Sequence, residues 1–123
     1  MNDEQALTGR VALVTGSARN IGRAIALALA RSGAAVMVNA RTAGAEAEQV
    51  VAEIRAAGGR AASRLADVSR PDDAAALVAA TVAEFGRLDI LVNNASVRKE
   101  RPFAELDYGE WREIVGVTLD GAY

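Results

Sequence analysis

Two short segments carry the residue types from which chemistry could be built. The first, LVTGSARNIGRAIA (13–26), runs from an apolar stretch through Gly16 and Gly22 into residues at helical spacing. A strand-to-helix turn of this composition offers backbone N–H groups and the positive end of a helix to an anion, and a pyrophosphate suits it well. Gly16 permits the tight turn and Gly22 lets the helix approach the strand, with Ser17, Ala18, Arg19, Asn20 and Ile21 between them. The second segment, LDILVNNAS (88–96), ends an apolar run on Asn93, Asn94, Ala95 and Ser96. Side-chain amides at the end of a buried strand need partners, so they read as binding or bracing groups. A glycine pair alone is also what any close-packed strand–helix turn needs, so the phosphate reading rests on the two segments together.

Composition narrows the chemistry further. The 123 residues contain no cysteine and no histidine, which removes disulfides, thiolate nucleophiles, imidazole bases and the usual zinc ligands. A metal site would need carboxylates alone, and none is expected. The net charge is −2 with signs interspersed, so no basic stripe suggests a nucleic-acid partner. The opening MNDEQALTGR lacks a basic segment followed by an apolar one, and no apolar run reaches the ~18 residues of a membrane span. With 51% hydrophobic residues, the expectation is a soluble, cytoplasmic globular protein with no membrane partner.

These segments need elements to hold them. VALVT (11–15) is a short apolar run ending at Gly16 and reads as a buried strand. The helix after it places Ile21, Ile25 and Leu29 on one face and stops at Gly33. AAVMVNA (34–40) is a second strand, and residues 43–59 a second helix with Val50, Ile54 and Ala57 on one face. AASRLADV (61–68) is a weaker strand; the helix beginning SRPDD has Ser69 three residues before Asp72, a capping-box spacing, Pro71 in its first turn and Gly86 as its stop. The run LDILVNNA (88–95) is the strongest strand, expected to be central and covered on both faces. A polar loop, 96–106, leads to a final helix in which Trp111, Ile114, Val115 and Leu119 recur at helical spacing. Alternating strands and helices imply right-handed crossovers and a doubly wound parallel sheet in the order 3-2-1-4, with ligands at the carboxyl ends of strands 1 and 4.

TGSARNIG (15–22), ADV (66–68), LDILVNNAS (88–96) and EWREIVGVTLDGAY (110–123), in this order and spacing, resemble the N-terminal half of a short-chain dehydrogenase/reductase. The resemblance implies an α/β, Rossmann-type half-domain over residues 1–123, truncated after about four strands and the following helix. It also implies an NAD(P)(H)-dependent oxidoreductase acting on a carbonyl/secondary alcohol pair. Thr15, Gly16 and Gly22 match the family's TGxxxGxG, with Asn20 in place of the middle glycine. Asparagine tolerates a left-handed backbone better than most residues, so Asn20 reads as a variant of the turn and not a break in it. Asp67, with Val68, matches the family's adenine-edge aspartate; a solvated loop acid and a helix cap are the other readings of its position. Asn93, Asn94 and Ala95 match NNAG with Ser96 last, Asn94 and Ala95 lying along the ribose and Asn93 bracing the sheet.

The choice of cofactor follows from the second strand. NAD sites of this architecture carry an acid there, about twenty residues past the glycine turn, to bind the ribose 2′-hydroxyl. Here the position is Ala40, followed by Arg41, and Arg19 sits in the turn. An acid would repel a 2′-phosphate and a guanidinium can engage it, so NADP(H) is favoured over NAD(H), although either arginine alone could be a solvated surface charge.

The family's catalytic serine, tyrosine and lysine belong to a segment later than these residues, so none of the catalytic set is expected here and the chain alone is expected to be inactive. Tyr108 is followed four residues later by Arg112, not lysine, and Tyr123 aligns with a hydrophobic-helix position; neither is a catalytic candidate. Thr118 falls where the family has a relay asparagine, and it could touch a water or simply pack. The resemblance implies a homo-oligomer built partly through the last helix, and a small-molecule substrate whose identity these residues do not encode. An open apolar edge on strand 4, long by this reading, favours self-association. A noncatalytic nucleotide-binding or regulatory module is the alternative, and a methyl-transferring enzyme a weaker one, since its glycine turn would not predict NNA or paired arginines.

Overall fold

In a computed structural model, residues 6–97 and 102–123 are described. Residues 98–101 of the expected polar loop lie outside them. Four parallel strands, β1 (Val11–Val14), β2 (Ala35–Ala40), β3 (Ala61–Leu65) and β4 (Ile90–Val92), form one sheet in the order β3-β2-β1-β4. Helices α1 (Asn20–Arg31), α2 (Gly44–Ala56) and α3 (Pro71–Phe85) make the crossovers, and α4 (Tyr108–Val115) follows a 3₁₀ turn at Phe103–Glu105. The expected strand order and α/β architecture are therefore present.

Strand periodicity divides the core into two layers. Ala12, Val14, Val36, Val38 and Ala40 join Val50, Val51 and Ile54 of α2 and Ala26 of α1 on one face. Leu13 and Met37 point the other way, onto Leu77 of α3 and Val117. Burial on both faces is why β1 and β2 read as continuous apolar runs. At the start of β1 the Asp89 carboxylate accepts a hydrogen bond from Val11 N at 2.8 Å. Its hydrogen bonds with Arg87 first, and with Val11 second, hold that carboxyl below its usual pKa.

Several local expectations are corrected. Among the described residues β4 spans only Ile90–Val92 and is an edge strand paired with β1, neither central nor long. The reason is geometric: α3 packs on β1 and β3, and Leu91, one strand further out than Leu13, is 50% exposed. Beyond Val92 the asparagines leave the ladder to bond the β1 turn. Ala57 is the exposed C-cap of α2, and the helix's buried stripe is Ala47, Val50, Val51 and Ile54. The capping box at Ser69 does not form: Ser69 gives both its hydroxyl and its amide to Asp67 Oδ1, at 2.6 and 3.0 Å. The residue at the α3 N-cap is Arg70, with Pro71 inside the first turn.

The final helix also differs from its pattern. Asp107 caps α4 by accepting from Glu110 N at 2.8 Å, but regular α geometry ends at Val115 and a π-helical segment covers Gly116–Asp120. The wider turn shifts the phase after Val115, so that Val117 is buried while Leu119 is 64% exposed; Trp111, in the regular part of α4, is itself 52% exposed. The close approach of this segment to the end of β3 depends on Gly121, where a Cβ would stand 2.8 Å from Val68 Cγ2.

Leu77, fully buried beneath the sheet, and Leu119, exposed, provide a direct test of this phase. Leu77→Ala is expected to lower unfolding free energy by about 2–5 kcal/mol. Leu119→Ala is expected to change it by less than about 0.5 kcal/mol in the same urea titration.

Candidate functional site

The site begins where β1 ends. The Thr15 hydroxyl accepts hydrogen bonds from the amides of Asn94 and Ala95, both at 3.0 Å, which pins the strand that follows β1 in the sheet to the β1 turn. Asn94 returns the contact through its side chain, with Nδ2 donating to Gly16 O at 3.0 Å and Thr15 O at 3.3 Å. Gly16 sits at φ +60°, and a Cβ there would lie 3.0 Å from Ala95 Cα. At Gly22 a Cβ would lie 2.2 Å from Gly16 O and 2.5 Å from Asn94 Nδ2, closer than any side chain can be accommodated. Gly16 and Gly22 therefore allow turn, helix and Asn94 to meet without a side chain between them.

Asn20 adopts φ +56° and is the only non-glycine residue with a positive φ among the described residues. It stands where the family motif has glycine, and the backbone there has the left-handed form that glycine would supply. The amide side chain is short and polar enough to tolerate it. Arg19, at the N-cap of α1, is extended and makes no side-chain cap, so the first amides of α1, which have no intrahelical acceptors, are not capped by it either. These amides and the positive helix end face an open cleft.

The residue that sequence reasoning missed is Asn39. It is 1% exposed on β2, and its Oδ1 accepts from Gly16 N at 3.1 Å. Its Nδ2 donates to the carbonyls of Arg64 and Ala66, at 3.2 and 3.3 Å, so one amide ties the glycine turn to the end of β3. The signal was present as the one strongly polar residue inside AAVMVNA. Ser17 belongs to the same network and is fully buried: its hydroxyl donates to Val14 O at 2.7 Å and accepts from Asn39 N at 2.9 Å. Ser17 thus lies beneath the turn, away from the cleft surface. The amides of Gly16 and Ser17 are both taken by Asn39, so the donors left for a ligand come from the following residues.

The cleft has a volume of about 650 Å³. One wall is Gly16 and Ala18 to Gly22, a second runs from Asn39 to Ala43, and a third comprises Ala66 to Val68 with Asn94 to Val97 and Val117. Gly16, Ala18, Arg19, Asn20, Ile21, Gly22, Arg41, Asp67, Val68, Asn94, Ala95 and Ser96 are brought together here. Ile21, expected on the core face of α1, is 70% exposed and turns into this cleft instead. Asn93 is exposed and Thr118 is exposed outside the cleft lining, as are Tyr108 and Tyr123.

Charge is concentrated at the mouth. Arg19 Nε lies 3.2 Å from Glu46 Oε2, and Arg41 Nη1 lies 3.8 Å from Glu113 Oε1. Ala40, beside them, is buried and carries no charge. Asp67 is held below the usual carboxylate range, first by the Ser69 hydroxyl, against the opposing effect of burial, and further by the Ser69 amide and the Arg41 and Arg70 charges. It does not cap α3; its own amide donates to Asp73 Oδ2 at 3.0 Å.

Comparison with known proteins agrees with this geometry. The family model for short chain dehydrogenase matches residues 10–123. A 3-oxoacyl-[acyl-carrier-protein] reductase of Synechocystis sp. is 41% identical over 96% of this chain and 48% of its own length. An uncharacterised oxidoreductase of Methylorubrum extorquens is 48% identical over 94% of this chain and 46% of its own. The crystal structure of a short chain dehydrogenase from Mycobacterium avium superposes with a TM-score of 0.89 at 41% identity, covering 94% of this chain and 42% of that one. The chain thus spans about half the length of the curated relatives it matches.

Asn39→Ala would leave Gly16 N and the carbonyls of Arg64 and Ala66 without their side-chain partner. A loss of about 1–3 kcal/mol in unfolding free energy is expected by chemical denaturation. At Asn20 the test is conformational: Asn20→Ala keeps the Cβ but loses the short polar group that eases a left-handed backbone, and is expected to cost about 1 kcal/mol. Asn20→Gly, lacking the Cβ, should remain within about 1 kcal/mol of the parent in the same melts.

Proposed function

Since this chain belongs to the short-chain dehydrogenase family, we propose that it forms the cofactor-binding part of an NAD(P)(H)-dependent oxidoreductase acting on a carbonyl/secondary alcohol pair, with NADP(H) preferred. The observation that carries the reading is the cleft mouth: two guanidinium groups flank the end of β2, where Ala40 stands in the place of an acid. A dinucleotide fits the donor set. The turn closes on Gly16 and Gly22 with no room for side chains, so the backbone itself can approach a pyrophosphate.

In this reading the amides of Ala18 to Ile21 and the positive end of α1 hold the pyrophosphate, with Gly16 and Gly22 shaping the turn. Ser17 acts from below by fixing the turn to Asn39. Asp67 and Val68 border the adenine, Asn94, Ala95 and Ser96 border the ribose on the nicotinamide side, and Arg19 and Arg41 meet the 2′-phosphate. A bound nicotinamide would supply the hydride donor or acceptor for the substrate carbon. The chain's own contribution is to bind and orient, because neither Tyr108 nor Tyr123 lines the cleft and no histidine or cysteine is available for proton transfer.

The carbonyl chemistry is supported by relatives named as 3-oxoacyl-[acyl-carrier-protein] reductases. We place the acid/base groups outside residues 1–123, so these residues alone bind cofactor without turnover.

Calorimetric titration tests both parts of this reading. NADPH is expected to bind more tightly than NADH, by roughly tenfold or more, as charge-assisted hydrogen bonds to a phosphate imply. Arg41→Asp should reverse the order. Equal affinities for the two cofactors, unchanged by Arg41→Asp, would overturn the preference, and ketone-dependent NADPH oxidation by the 123-residue chain would overturn the division of labour.

A further inference from the structure

Both arginines at the cleft mouth are already engaged by carboxylates, and each carboxylate comes from a different helix. Glu46 lies in the first turn of α2 and meets Arg19; Glu113 lies on α4 and meets Arg41. The remaining ion pairs among the described residues lie elsewhere: Arg10 and Arg87 on Asp89, Arg23 on Glu53, and Arg112 on Asp120. Only the Arg19 and Arg41 pairs have their cations in the cleft wall. All four side chains are partly exposed, between 36% and 62%, so each pair can open without burying an uncompensated charge.

Resting on the NADP(H) reading, we propose that Glu46 and Glu113 are specificity-determining residues, internal anions that compete with the cofactor's 2′-phosphate for Arg19 and Arg41. A carboxylate and a phosphate present the same acceptor oxygens to a guanidinium, but the phosphate brings a larger charge. Exposed ion pairs are weak, so the phosphate displaces the glutamates. The displaced carboxylates remain within a Debye length of the phosphate and continue to repel it, which sets the affinity below what two arginines alone would give. Because Glu113 is on α4, the exchange at Arg41 also removes a loose 3.8 Å ion pair between the residue after β2 and the helix whose following segment places Val117 in the cleft wall.

The competition has a sign. If the glutamates served to orient the arginines, removing them would weaken phosphate binding; as competitors, their removal strengthens it. The probes are 2′,5′-ADP and 5′-ADP, which differ in the 2′-phosphate, titrated calorimetrically into the intact protein and its Glu46→Gln, Glu113→Gln and Glu53→Gln variants at low and high salt. Glu53 shares α2 with Glu46 but pairs with Arg23, away from this cleft, and controls for net charge.

The expected result is that Glu46→Gln and Glu113→Gln each tighten 2′,5′-ADP by roughly two- to fivefold, in keeping with exposed ion pairs, and leave 5′-ADP unchanged. The gain should shrink at high salt, and Glu53→Gln should not reproduce it. If the parent protein binds the two probes equally and Arg41→Ala changes neither, the NADP(H) reading fails and the competition falls with it. If the parent discriminates through Arg41 but the Glu46 and Glu113 variants bind 2′,5′-ADP no better or more weakly, the competition alone is wrong. A gain of equal size in Glu53→Gln would also overturn it, as a general charge effect.

Discussion

The Asn39 side chain is the interaction on which the rest of the cleft depends. It is one amide, sealed within β2, that accepts from the glycine turn with its oxygen and donates to the end of β3 with its nitrogen. Carbonyl and NH₂ on the same planar group are what allow both sides to be satisfied at once. An apolar residue of the same size would fill the space, yet it would leave buried backbone groups without partners. The side-chain oxygen takes the Gly16 amide and the main-chain carbonyl of Asn39 takes that of Ser17, which together select the N–H groups that remain to face a ligand.

A second layer of contacts depends on that anchored turn. With Gly16 held from the β2 side, Asn94 reaches its carbonyl from the other, and the Thr15 hydroxyl gathers the amides of Asn94 and Ala95. Gly22 then admits α1 at a distance that excludes a Cβ. The first helical amides consequently come to the cleft floor, while the flexible, charged side chains of Arg19 and Arg41 remain at its mouth. Rigid backbone donors and adjustable guanidinium groups are thus separated in space, the former suited to a fixed pyrophosphate geometry and the latter to exchange between anions.

How far this was legible varied by element. The order 3-2-1-4 followed from strand–helix alternation and the handedness of crossovers, and Asn20 was readable as a left-handed residue because few side chains tolerate that backbone. The spacing of Ser69 and Asp72 misled, because Ser69 donates its hydroxyl and amide to Asp67 and α3 begins one residue later, with Arg70 at the N-cap. Ile21 fell on the wrong side for a related reason: helical periodicity assigns faces by a regular phase, and at the first turn of α1 the outward face is the cleft. The π-helical segment broke the phase of the last helix in the same way, exchanging Leu119 for Val117 at the core.

By itself the sequence determined the period and punctuation of the elements, the glycines at 16 and 22, the asparagines after the fourth apolar run, and the absence of an acid at Ala40. These are local properties, written in residue type and spacing. Tertiary structure alone decided that Asn39 is the hub of the cleft, that Ser17 is buried below the turn, that Leu91 of β4 is left half-exposed, and that Glu46 and Glu113 meet the two arginines. Each of these joins residues more than twenty positions apart or depends on which neighbour covers a face. Spacing along the chain carries no record of such contacts, because they arise only when strands from separate crossovers align their carboxyl ends.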